Sequence, residues 1–318
     1  MNFGKSNQLK RPTLYTVLNW GLGHATRSAA LLEQLPDEEV VIASDGIALD
    51  YLRQRFPEKQ CVELPSLQIR YGRHAMWSIF RALPHIGSWL WKDYRWLKQN
   101  RSKYGDLISD GRLAYPLFER GTRFVNHQLA SSCRSLYSFC LVLLTNVLRL
   151  RKTTLWFPGK TAMWPFPTPA VKELGCLSAI HPCNLPLDLD VLVVLSSNLE
   201  VQDRLLKKVV PLLERDQLKY QVVGYKGETS GLVGGHLTGQ AFDALWSRSK
   251  SVVSFLGYST LMDVEASKKP AFLVAIRGQW EQEALARVQT NSEIVRCFEA
   301  QLAQDNYLAG WLKKVQNG

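Results

Sequence analysis

Two rhythms of apolar and polar positions alternate along the chain. "TLYTVL" (13–18) is a short apolar run, and "GLGHATRSAALLEQL" (21–35) carries apolar residues at helical spacing. "EVVIAS" (39–44) and "IALDYLRQRF" (47–56) repeat strand then helix, and "KQCVELP", "YGDLISD" and "TRFVNHQLA" give three further strand segments. After residue 186 the rhythm restarts. "VLVVLSS", "KYQVVGY", "KSVVSFL" and "PAFLVAI" read as strands, and "EVQDRLLKKVVPLLERD", "GQAFDALWSRS", "STLMDVEASKK" and "WEQEALARVQT" as helices. Short apolar strands alternating with helices predict an α/β fold with parallel, doubly wound sheets.

Between 150 and 186 the rhythm fades, and "LWFPGKTAMWPFPTP" reads as an irregular connection. The expected division is an N-terminal domain over 1–160, a linker over 161–188 and a C-terminal domain over 189–318, its last helix free to cross back. The tail from 291 to 316 is expected to be helical throughout. Pro84 and Gly87 are expected to split "MWSIFRALPHIGSWLWKDYRWLKQNR" (76–101) into two pieces, and "FCLVLL" (139–144) to belong to a buried helix.

Composition narrows the classes. Thirty-nine Lys and Arg against 28 Asp and Glu give a net charge of +11. Such a surface attracts anions: phosphorylated small molecules, acidic lipid or nucleic acid. No RNP, helix-turn-helix or zinc signature supports nucleic acid. The six cysteines form no CxxC pair, so reduced, mostly buried thiols in a cytoplasmic protein are expected. No signal-peptide pattern opens the sequence, and no apolar run approaches the ~20 residues of a spanning helix. Trp77, Trp89, Trp91 and Trp96 among Arg and Lys leave two readings open. One is a segment on the inner face of an anionic membrane, the other a helix with its Trp residues packed inward.

Polar residues at strand ends carry the candidate chemistry. In "NWGLGHATR", Gly21 and Gly23 open a strand-to-helix turn and His24 follows at once. The turn is neither GxGxxG nor a Walker loop. A histidine there lies at the carboxyl edge of a parallel sheet, where α/β proteins bind ligands. Asp110 in "DLISDGR" and His127 in "RFVNHQLA" reach the same edge, so His24, Asp110 and His127 form a candidate catalytic group. In "FLGYSTLMDVEAS", Gly257 turns into a helix whose Tyr258, Ser259 and Thr260 open its first turn, and Asp263 lies about one turn on. Hydroxyls there suit a phosphate and the carboxylate suits a ribose diol. Gln279, Glu281 and Gln282 in "IRGQWEQ" suit sugar hydroxyls. No DxD motif marks a metal site; "DLDVL" (188–192) is a weak candidate.

These motifs resemble the bacterial GT-B glycosyltransferases related to the peptidoglycan N-acetylglucosaminyltransferase, especially their "predicted glycosyltransferase" branch. "GLGHATR", "LISDGR", "VNHQLA" and "LGYSTLMDVEASKKPAFLVAIRGQWEQEALA" carry the likeness over most of the chain. Gly111 stands where the branch has Asn. "SSNLEVQDR" (196–204) replaces a Gly/Pro-rich loop, with Gln202 and Arg204 keeping part of its polar content. The resemblance implies two Rossmann-like domains facing a cleft. It implies a nucleotide-diphosphate sugar, uridine-based, as substrate with no cofactor or metal, and it leans towards inversion. Gly257, Ser259 and Thr260 fall at the diphosphate, Asp263 at the ribose, Glu281 and Gln282 at the sugar, and His127 near an acceptor-side motif. His24 falls on the base, with Gly21 and Gly23 closing over the leaving group. The acceptor is left unnamed. A hydrolase or epimerase of the same fold, and a catalytically silent nucleotide-sugar-binding or membrane-surface protein, stand as alternatives.

Overall fold

The computed structural model describes residues 11–19, 22–35, 39–66, 75–126, 147–148, 152–158, 171–197, 199–227, 233–234, 239–288, 293–302 and 305–317. Side chains are described for these except 75–84, 233–234, 280, 305 and 316–317. Gly21, His127 and the "FCLVLL" run lie outside the described residues. The chain divides into two compact units, Met1–Pro158 with Phe166–Leu174 and Gly159–Pro165 with Gly175–Gly318.

The first unit runs β1 (Thr13–Val17), α1 (Leu22–Glu33), β2 (Val40–Ser44), α2 (Gly46–Arg55), β3 (Cys61–Glu63), α3 (Ala75–Asn100), β4 (Leu107–Asp110), α4 (Ala114–Phe118), β5 (Arg123–Val125), β6 (Thr154–Phe157) and β7 (Lys172–Glu173). Its 7-stranded sheet has the order β3-β2-β1-β4-β5-β6-β7. β1, β2 and β4 are buried at every position. Helix cover on both faces of a parallel sheet is what buries such strands along their whole length. The β1–β4 register sets Val17 beside Asp110, which brings the exit of β1 next to the end of β4.

The second unit runs β8 (Leu189–Val194), α5 (Leu199–Arg215), β9 (Tyr220–Tyr225), β10 (Val233–Gly234), α6 (Gln240–Arg248), β11 (Ser249–Phe255), α7 (Tyr258–Ser267), β12 (Ala271–Ala275), α8 (Trp280–Ala286), β13 (Ile294–Phe298), α9 (Glu299–Leu302) and α10 (Asp305–Asn317). Its 6-stranded sheet has the order β10-β9-β8-β11-β12-β13. Val201, Leu205, Val209 and Leu213 form the inner stripe of α5, at the i, i+4 spacing that faces a helix onto a core. They pack with Phe255, Phe272 and Val274 of the sheet and with Trp311 and Leu312 of α10. In each sheet the strand order reverses beside the first strand: between β1 and β4, and between β8 and β11. Ligand crevices of α/β sheets open at such points.

Three expectations change. α3 is one helix through Pro84 and Gly87. Interior proline costs about 3 kcal/mol, and the burial of Trp89 and Leu97 downstream offsets it, at about 1.5–3 kcal/mol per large apolar side chain. Residues Ile294–Phe298 are a strand, not helix, because Ile294 and Cys297 are buried in register with β12. β6 and β7 fall in or beside the stretch read as irregular and complete the first sheet. Of the described cysteines, Cys297 is buried, Cys61 and Cys176 are half-buried and Cys183 is exposed. Among the described residues no helix is long and apolar enough to cross a membrane.

Candidate active site

His24, Arg27 and Ser28 sit at i, i+3 and i+4 near the start of α1 and therefore share one face. That face meets Asp110, the last residue of β4. His24 Nδ1 lies 2.7 Å from Asp110 Oδ1. Arg27 Nε donates to Oδ2 at 2.9 Å and Arg27 Nη2 donates to Oδ1. Ser28 Oγ donates to Oδ2 at 3.0 Å. Asp110 is fully buried. Burial alone would raise its pKa, but the Arg27 charge and then His24 outweigh it and hold the carboxyl well below the usual range.

An anionic Asp110 can only accept. The hydrogen-bond network therefore assigns the Nδ1 proton of His24 to Asp110. Arg27 Nη2 is also 2.9 Å from Nδ1. Two donors do not bond each other, so that proximity reflects their shared acceptor. Nε2 is left as the ring's basic nitrogen, on a side chain 19% exposed.

Gly111 completes the arrangement. Its φ is +75°, and a Cβ there would lie 2.7 Å from His24 Cε1. Glycine gives both the left-handed turn and the room for the ring.

Beside this cluster, Arg112 is fully buried. It donates to Asp93 at 3.0 and 2.9 Å, to Asp45 at 2.8 Å and to the Pro65 carbonyl at 2.7 Å. Its guanidinium lies 5.3 Å from the Trp89 ring centroid, and Trp89 Nε1 donates to the same carbonyl at 3.1 Å. The network ties the ends of β2 and β4 to α3 and the chain leaving β3. Arg27, Ser28, Asp45, Asp93 and Arg112 escaped sequence reasoning. Only the i, i+3, i+4 spacing of His24, Arg27 and Ser28 offered a signal.

Gly23 lies inside the first turn of α1, exposed, its carbonyl accepting from Thr26 Oγ1 at 3.3 Å.

In the second unit, Gly257 is the N-cap of α7 with an extended backbone, φ −81° and ψ 148°. Among the described residues, a Cβ there would touch only Thr260 Oγ1, at 3.7 Å. Ser259 and Thr260 are half-buried in the first turn, whereas Tyr258 is 4% exposed and belongs to the core. Asp263, one turn on, accepts from Ser178 Oγ at 2.7 Å. Burial pushes the Asp263 carboxyl up to about 7; the Ser178 bond opposes this and Asp243 adds to it.

Gln279 is exposed at the N-cap of α8, and Glu281 is half-buried in its first turn. Gln282 is committed elsewhere: its Oε1 accepts from Ile276 N–H at 2.9 Å. Glu283 and Glu299 accept from Gly278 N–H and Arg277 N–H at 2.8 and 3.2 Å, which braces the same loop.

Gln202 is likewise committed, donating to Gly224 O and accepting from Lys226 N–H, both at 3.0 Å. Arg204 pairs with Glu200 and Glu299. Ser197, after β8, has φ +99°. The carboxylates of "DLD" are paired too, Asp188 with Arg248 and Asp190 with Lys250. Among the described residues no His/Cys/Asp/Glu group is arranged to hold a metal ion.

No protein-family model and no curated protein matches the chain. Solved structures do match it. The spinosyn rhamnosyltransferase SpnG complexed with thymidine diphosphate aligns over 96% of this chain and 95% of its own, with TM-score 0.60 and 12% identity. The calicheamicin glycosyltransferase CalG4 aligns over 97% and 93%, with TM-score 0.58 and 12% identity. MurG of Acinetobacter baumannii aligns over 96% and 92%, with TM-score 0.56 and 12% identity. The chain has the GT-B fold. Within that fold the His24–Asp110 pair belongs to the N-terminal unit, and the Gly257–Asp263 turn to the C-terminal unit.

Proposed function

We propose that this GT-B protein is a glycosyltransferase that moves a sugar from a nucleotide-diphosphate donor to a hydroxyl acceptor without a metal. The observation that carries the reading is the His24 Nδ1–Asp110 contact at 2.7 Å, which leaves Nε2 without a partner among the described residues. As the acceptor oxygen attacks the anomeric carbon, its proton passes to Nε2. The bond from that carbon to the diphosphate oxygen breaks, and a nucleoside diphosphate leaves. Asp110, kept ionised by Arg27, stabilises the imidazolium. A positioned base of this kind contributes about 10²–10⁴ in rate.

On the donor side, the open helix start at Gly257 with Ser259 and Thr260 meets the diphosphate. Asp263 takes the ribose hydroxyls, and Gln279 and Glu281 face the sugar. Uridine is the base to test first. The paired state of Asp188 and Asp190 supports metal independence. The motif resemblance supports a relation to the peptidoglycan N-acetylglucosaminyltransferase and a cytoplasmic site of action.

A membrane-surface role is favoured by one observation. Trp91 is 58% exposed on α3, with Lys92, Arg95 and Lys98 exposed on the same helix. Its ring lies 5.4 Å from Tyr94, which lies 4.7 Å from Phe118. Vesicles with anionic lipid should float the wild type and not Trp91→Ala.

The main test is nucleotide binding followed by transfer. Nucleoside diphosphates should raise the melting temperature, and His24→Ala should bind them normally yet transfer no sugar. Unchanged transfer by His24→Ala sinks the base assignment. Nucleoside diphosphate released from the donor without acceptor would make the enzyme a hydrolase.

A further inference from the structure

Asp263 lacks what Asp110 has in abundance. Asp110 takes bonds from a guanidinium, a hydroxyl and an imidazole. Among the described residues, Asp263 takes one side-chain bond, from Ser178 Oγ to Oδ1 at 2.7 Å. The charged neighbour that acts on it, Asp243 on α6, carries the same sign and is buried. Ser178 belongs to the irregular stretch between β7 and β8. Its oxygen accepts from Ile180 N–H at 3.2 Å, so its one proton is directed at Asp263.

We propose that Ser178 stands in for a ribose hydroxyl on Asp263 and has to be displaced when a nucleotide binds. The proposal rests on the reading of Asp263 as the ribose contact. A serine hydroxyl and a sugar hydroxyl are the same donor chemically: an aliphatic O–H aimed at a carboxylate. A diol bound through both carboxylate oxygens needs Oδ1, which Ser178 holds.

The stand-in also keeps the site usable. A carboxyl buried beside another carboxylate drifts towards its neutral form, which accepts hydrogen bonds poorly. The Ser178 bond works against that drift.

Displacement needs only a side-chain rotation. Leu177 and Ala179, 2% and 8% exposed, pin the backbone on either side. Turning Ser178 about χ1 releases Oδ1 and gives up the Ile180 N–H contact. Nucleotide affinity is therefore set by an exchange of one hydroxyl for another, and is weaker than for a bare carboxylate. Ribose-free ligands escape the exchange.

The test is calorimetric titration at pH 8.5, above the value of about 7 to which burial pushes Asp263. The probes are uridine diphosphate, thymidine diphosphate and inorganic pyrophosphate. Ser178→Ala should bind the nucleoside diphosphates about five- to tenfold more tightly, in the range of one charge-assisted hydrogen bond partly offset. Pyrophosphate affinity should not change. Ser178→Thr, which keeps the hydroxyl, should return nucleotide affinity towards wild type. Ser178→Cys keeps the packing with a weaker donor and should fall between, which serves if the alanine variant folds poorly. Ser178→Ala or Ser178→Cys binding nucleotide no better than wild type, while Asp263→Asn loses binding, overturns the stand-in and leaves the donor site in place. Asp263→Asn binding like wild type overturns the ribose reading itself.

Discussion

Asp110 and Asp263 are both carboxylates near the carboxyl edge of a parallel sheet, one in each unit, and they are held in opposite ways. Asp110 is fully buried yet strongly acidic, because Arg27 places a full positive charge against it and Ser28 and His24 add donors. Asp263 has one hydroxyl and a neighbouring carboxylate, and its pKa rises to about 7. Burial works in the same direction in both, so it does not decide their state; the supply of donors and cations does. Asp110 is thus a fixed anion that orients a ring. Asp263 is an exchangeable one, suited to a ligand that brings its own donors.

The sharpest way to break the contrast is to remove the cation. Arg27→Ala leaves Asp110 buried without its guanidinium and should cost roughly 3–5 kcal/mol in urea unfolding. It should also lift the acid limb of the pH–rate profile, because Asp110 then titrates nearer neutrality. Gly111→Ala is the next largest. It forces a left-handed turn on a β-carbon and pushes on the His24 ring, for about 1–3 kcal/mol. Transfer should fall at least tenfold while nucleotide affinity stays constant, since the damage is confined to the first unit.

Acidity sharpens the contrast from the other side. If Asp263 binds ribose as an anion, affinity should drop roughly tenfold between pH 8 and pH 6, and Asp263→Asn should abolish that dependence. The groups acting on Asp263 are Ser178 and Asp243. The stability signs differ too. The folded pKa of Asp263, about 7, lies above the unfolded value. Its stability contribution is therefore greatest below about pH 4 and is lost as pH rises towards 7. Asp110 is depressed, so its contribution is present above about pH 4 and is lost on acidification. The smallest effect is expected at Ser197. Relieving its positive φ with Ser197→Gly should stabilise by about 0.5–1 kcal/mol, read as a raised urea midpoint.

Strands such as "VLVVL" were legible because burial on both faces leaves an unbroken apolar run, and that run is local information. Ile294–Phe298 was not, since it sits among helix-spaced residues and becomes a strand through pairing with β12. His24 and Asp110 could be named as polar residues at strand ends, but their partnership spans 86 positions. An arginine on a helix usually reads as solvated surface, which hid Arg27. The Arg112–Asp93–Asp45 cluster left no trace, because its members come from three distant elements and share no spacing. Asp263 was visible within a motif. Ser178 lies in a stretch without periodicity, where no pattern distinguishes one hydroxyl from another.

Every strand pairing described in both sheets is parallel. No hairpin therefore exists among the described strands to nucleate either sheet, and each pairing has to close over a crossover; Leu14 meets Leu107 in the first. Such topologies fold slowly. The first sheet also lacks its last strand until the ribosome has passed Glu173, where β7 joins β6. Until then the edge of β6 that β7 covers stays unpaired, the kind of exposed strand edge that favours misassociation of a partly made chain.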